Sequence, residues 1–128
     1  MTKPLALIFY ENLLTGNQLL NRLSDLDYRT LAVTDLGKLI EQAATEKPLV
    51  LIVELGALAE RVCGTIRSLR AAPATRHIPI LAYVQPKDRK EDAKLTEHAQ
   101  TAGANLVVGE PLLLPHLAQL LDQALRLD

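Results

Sequence analysis

Pro48-Leu49-Val50-Leu51-Ile52-Val53-Glu54 is the stretch that decides the fold of this chain. Val50 to Val53 are all branched aliphatic residues with no polar residue among them, and the run stops at a single carboxylate. A strand with one wet face alternates apolar with polar. A run that is apolar in both phases predicts a strand covered on both faces, as in a parallel sheet held between helices. Glu54 then stands at the C-terminal end of that strand, the edge where open α/β sheets place their sites.

The flanking sequence repeats this logic. Leu5 to Tyr10 is a continuous apolar run that reads as a first strand, ending at Glu11-Asn12. Asn12 or Thr15 offers a cap for a helix with Leu19, Leu20, Leu23 and Leu26 on its buried side. Arg29 to Val33 follows as a second strand. Thr34-Asp35 then caps a helix whose apolar face is Leu36, Leu39, Ile40, Ala43 and Ala44. After Glu54, Leu58, Val62, Ile66 and Leu69 step at helical spacing to about Arg70, and Ile78 to Val84 reads as the fourth strand. Lys87 to Lys94 is almost wholly charged and opens a helix with a narrow stripe of Leu95, Ala99 and Ala102, closed by Gly103. Leu106 to Val108 is a short fifth strand. A last helix has Pro115 in its first turn and buries Leu117, Leu120, Leu121, Ala124 and Leu125. Strand and helix alternate throughout, which predicts a doubly wound α/β fold with a five-stranded parallel sheet, order 2-1-3-4-5, and five helices.

Composition narrows the function. A chain of 128 residues is most simply one domain, residues 1–128, and 48% hydrophobic content gives it a proper core. Fourteen basic residues against fifteen acidic ones leave a net charge of −1, which argues against nucleic acid or a membrane surface as partner. The apolar stretch after Met1-Thr2-Lys3-Pro4 is too short for a leader or a span, and the single cysteine, Cys63, forms no internal disulfide. These features predict a cytoplasmic protein. His77, His98 and His116 have no metal-ligand spacing, and no glycine-rich phosphate loop or nucleophile–base pattern points to an enzyme. No cofactor and no metal are expected.

Two further stretches carry a resemblance. Arg70-Ala71-Ala72-Pro73-Ala74-Thr75-Arg76-His77-Ile78-Pro79-Ile80-Leu81 closely resembles the segment that leads into the fourth strand of response-regulator receiver domains. Gly103-Ala104-Asn105, with Val107, Val108 and Glu110-Pro111, resembles that family's Gly-Ala stretch ending in Lys-Pro. Pro48 to Glu54 matches its third strand in register. The resemblance implies a flavodoxin-like receiver fold in two-component signalling and the phosphorelays of that system. The chemistry would be phosphoryl transfer to an aspartate, with Mg²⁺ on two acidic residues and a hydroxyl and a lysine gripping the phosphoryl oxygens.

The positions that resemblance assigns are all altered. The phosphoacceptor position is Glu54. The acidic pair falls on Tyr10 and Glu11, or on Glu11 and Asn12. The hydroxyl position is Val84, the lysine position is Glu110, and the aromatic switch position is Val107. The loop positions usually held by Pro and Gly are Leu58 and Val62. The resemblance therefore implies a degenerate pseudo-receiver that acts by protein–protein interaction or dimerisation. Its partner, a signalling protein or a second copy, would dock on the face made by the fourth helix, fifth strand and fifth helix. Leu112, Leu113 and Leu114 are the candidate contacts, since three leucines before Pro115 cannot all be core.

Two alternatives stand beside this reading. One is a cation- or ligand-sensing edge formed by Glu11, Glu54 and Glu110, whose mutual repulsion would call for a cation or a proton. The other is a phosphoaccepting regulator that uses Glu54 itself. A phosphomimetic Glu54 is a variant of the first reading. The blandest expectation is that each carboxylate simply points into water at the rim of the sheet. Lys87 or Arg89 would partly compensate the cluster, and the Glu110-Pro111 bond is expected to be cis, as its family counterpart is.

Overall fold

The computed structural model describes residues 3–126; Met1, Thr2, Leu127 and Asp128 lie outside the described residues. Strands β1 (Leu5–Phe9), β2 (Arg29–Val33), β3 (Val50–Leu55), β4 (Ile80–Val84) and β5 (Leu106–Gly109) form one sheet, and every pairing is parallel. The order is β2-β1-β3-β4-β5, as the alternating pattern predicts. Helices α1 (Leu13–Asp25), α2 (Leu39–Glu46, led by a 3₁₀ turn at Leu36–Lys38), α3 (Ala59–Ala71), α4 (Arg89–Ala102), α5 (Glu110–Leu113) and α6 (Leu117–Arg126) cover it.

The unbroken apolar strands are explained by two separate cores. Leu7, Phe9, Leu51, Val53, Leu55, Ile80, Ala82 and Val84 face α2, α3 and α4. Ala6, Ile8, Val50, Ile52, Leu81 and Tyr83 face α1, α5 and α6. Residues of opposite phase thus enter different cores, so neither phase is left polar. Cys63 is buried in the first core as a small packing residue. Among the described residues, no helix is long and apolar enough to cross a membrane.

The last helix departs from expectation. It is split into α5 and α6, making six helices rather than five, because Pro115 supplies no amide hydrogen to continue the first piece. Pro115 therefore precedes α6 instead of lying in its first turn. The Glu110–Pro111 bond is trans, since no described peptide bond is cis. Helix α5 starts at Glu110, so Pro111 occupies its first turn with a helical φ, and the chain makes no tight turn there.

The edge of the sheet opposite Glu54 is closed by Arg70. Its guanidinium donates to the carbonyls of Gly103, Arg76 and Ile78 and to Asn105 Oδ1, joining α3, the loop into β4, and the loop into β5. Gly103, at φ 126°, lies in the left-handed region, and a Cβ there would stand 2.5 Å from Arg70 Cγ. Helix α4 therefore stops at a glycine for steric as well as conformational reasons.

Candidate functional site

The register places Glu54 of β3 directly beside Tyr83 of β4, so both side chains leave the sheet on the same face. Glu54 is only 3% exposed. Its Oε1 accepts from the backbone N–H of Glu11 and of Asn12, each at 3.1 Å, and from the Tyr83 hydroxyl at 3.2 Å. A carboxylate is an acceptor only, and three converging donors match it without a counter-ion. The expectation that Glu54 points into water is thus incorrect: its longer side chain folds inward and ties β3 to the loop after β1.

The neighbouring positions are satisfied in the same way. Glu11, half-buried, accepts the Leu58 N–H on Oε2 at 3.2 Å and so fixes the start of α3. Asn12 caps α1, accepting from Leu14 and Thr15. Glu110 accepts from the Thr15 hydroxyl, which ties α5 to α1. Each carboxylate meets a donor of its own, although Glu11 Oε2 and Glu54 Oε2 approach the same point over Gly56. Lys87 and Arg89 do not compensate them, because the only ion pairs among the described residues are Lys3–Asp27 and Arg126–Asp122. Gly56 belongs to this packing, since a Cβ there would stand 2.8 Å from Glu11 Oε2 and 3.0 Å from Glu54 Oε2.

The remaining positions named from sequence are core. Tyr10 is buried, with its ring filling the space left by Gly16 of α1; a Cβ on that glycine would approach the ring to 2.2 Å. Val84 and Val62 are buried in the core beneath α3, and Val107 and Leu58 pack half-buried against it. Leu113 is fully buried, Leu114 half-buried, and Leu112 exposed. This donor set does not fit Mg²⁺. Val84 offers no oxygen, buried Tyr10 offers only a neutral phenol in place of a carboxylate, Asn12 is used as a cap, and Glu11 already holds an amide on Oε2. Among the described residues no group of three or more His, Cys, Asp or Glu side chains is arranged to hold a metal.

Two participants were not read as part of the site: Tyr83, and Thr15, which the sequence offers only as a helix cap. Tyr83 carried a signal, since a phenol inside an otherwise aliphatic strand needs a buried partner for its hydroxyl. Burial first, then the charge and hydrogen bond of Glu54 and the charges of Glu110 and Glu11, push its ionisation far above the usual phenol range. Tyr83 therefore stays a donor to Glu54 at any ordinary pH. Leu13 and Leu14, in the first turn of α1, are also exposed.

The backbone has close counterparts among solved structures. A response regulator from Thermotoga maritima superposes with a TM-score of 0.80 at 16% identity, covering 97% of this chain and 98% of that one. A chemotaxis response regulator of Vibrio cholerae gives 0.81 at 15% identity over 96% and 99% of the two chains. The receiver domain of a sensor histidine kinase from Pseudomonas aeruginosa, with a magnesium ion coordinated in its active-site cleft, gives 0.80 at 19% identity over 97% and 98%. The fold is the receiver fold. No family model matches the sequence, and no curated protein matches it. The receiver backbone is thus kept at identities too low to carry a site across. What occupies the site of this receiver fold is read from its own residues.

Proposed function

We propose that residues 1–128 form a single, cytoplasmic, receiver-like signalling domain that works without phosphorylation or catalysis, by binding a protein partner or a second copy of itself. The observation that carries this reading is the inward-turned Glu54. A phosphoacceptor must present a free carboxylate oxygen to an incoming phosphoryl group, with a cation and donors around it. Glu54 is buried, with Oε1 held by Glu11, Asn12 and Tyr83 and Oε2 turned toward the space over Gly56 that Glu11 Oε2 shares, and the positions that would grip the phosphoryl group are Val84 and Glu110. The same engagement weighs against a cation-sensing edge and against Glu54 as an unusual acceptor. The near-zero net charge supports a protein rather than a nucleic-acid partner.

The binding face proposed is α4–β5–α5, with Leu112 as its apolar contact. Leu113 has no part in it, because it belongs to the core under α5. Treatment of the full chain with acetyl phosphate and Mg²⁺, followed by intact-mass measurement, should give no phosphoryl adduct. Titration calorimetry with Mg²⁺, Ca²⁺ or Mn²⁺ should give no heat that Glu54→Gln removes. Self-association or partner capture should be unchanged by acetyl phosphate and weakened by Leu112→Glu. A stoichiometric acyl phosphate on Glu54 would overturn the proposal.

A further inference from the structure

The N-terminal edge of the sheet, at the opposite end of β3 from Glu54, carries a groove of about 520 Å³. The segments leading into β1, β2, β3 and β4 bring Lys3, Arg29, Lys47 and His77 to its walls, and among the described residues no carboxylate lines it. Leu49, Pro48 and Pro79 supply an apolar floor, and Leu49 is 43% exposed there without a covering residue. The cations are poorly compensated. Lys47 and His77 have no ion-pair or side-chain hydrogen-bond partner among the described residues, and Lys3 meets only the exposed Asp27 at 3.8 Å. Arg29 Nε donates to the Lys3 carbonyl at 3.0 Å, which pins the guanidinium at the rim by one of its nitrogens and leaves the others to a ligand.

Three cations held around an apolar floor, in a chain whose net charge is −1, favour an anion between them. The volume lies within the range of about 300–1,000 Å³ usual for small-molecule sites. We infer that this groove binds a small organic polyanion, with two or more phosphate or carboxylate charges on Arg29, Lys47 and Lys3 and an apolar or planar body against Leu49 and the prolines. The inference does not rest on the fate of Glu54, which lies at the other end of the sheet.

The probes are ATP without metal, pyrophosphate, and adenosine, titrated into the isotopically labelled full chain and followed by amide chemical shifts. ATP is expected to shift Leu5, Arg29, Lys47, Leu49 and His77 saturably, and less strongly as salt is raised. Pyrophosphate, which lacks the body, should bind at least tenfold more weakly, and adenosine, which lacks the charge, should not saturate. The double variant Arg29→Ala/Lys47→Ala changes only exposed side chains, and its amide spectrum reports directly whether it is folded. It should lose ATP affinity tenfold or more. Leu49→Asp should do likewise, while Leu112→Glu should not. Absence of saturable shifts at the groove, pyrophosphate binding as tightly as ATP, or unchanged affinity in the folded double variant would overturn the inference.

Discussion

The two ends of the parallel sheet treat charge in opposite ways. At the C-terminal end, Glu11, Glu54 and Glu110 are each closed onto a donor from the protein itself: backbone amides, the Tyr83 phenol and the Thr15 hydroxyl. At the N-terminal end, Arg70 is equally closed, but Lys3, Arg29, Lys47 and His77 line a groove with no anion in its walls among the described residues. In an open α/β sheet the C-terminal end is where chemistry is expected. Here the carboxylates at that end are each engaged within the protein, and the uncommitted charge stands at the other. A charged residue at a site-like position therefore argues for function only if its partners leave it available.

The largest effect should come from removing the acceptor at the closed end. Glu54→Ala strands two amides and a phenol, and should cost about 3 kcal/mol in a denaturant titration. Glu54→Gln keeps an oxygen for those donors and should cost only about 1 kcal/mol. Equal and small losses would mean that Glu54 is a bystander. Arg70→Met frees the carbonyls of Gly103, Arg76 and Ile78, so a loss of about 2 kcal/mol is expected by the same measurement.

Tyr83 sharpens the comparison through pH. Its ionisation is raised in the folded chain, so the unfolded chain gives up the phenol proton first, and above about pH 10 the unfolded state binds fewer protons than the folded one. Stability from this group is fully present below about pH 10 and falls as pH rises further. Tyrosinate absorbance should develop for Tyr83 only on unfolding, and Tyr83→Phe should remove that part of the alkaline slope at a neutral-pH cost of about 1–2 kcal/mol. The smallest effect is expected at Thr15→Val, about 1 kcal/mol, through the lost hydrogen bond to Glu110.

Much of the fold could be read directly. Val50 to Val53, Leu5 to Phe9 and Ile80 to Val84 are apolar in both phases, and helical spacing between them leaves one economical topology. The site was only half legible. Substitution at Val84 and Glu110 is plain from residue type, but which way a glutamate turns depends on partners distant in sequence. Glu54 meets amides 42 and 43 residues away and a phenol 29 residues on, and no local pattern announces those meetings. Leu113 shows the same limit: three consecutive leucines cannot be divided between core and surface until Pro115 is seen to break the helix. The cationic groove was hidden for a related reason, as its residues come from separate strand entries.

The most direct test of the account is the amide spectrum of the full chain recorded with and without beryllofluoride and Mg²⁺. The amides of Glu11 and Asn12 report on Glu54 because they donate to it. The account predicts that both stay unshifted at saturating reagent. A one-to-one adduct that moves Glu11, Asn12 and the start of α3 together would show that Glu54 can leave its donors and accept the group, and would contradict the account.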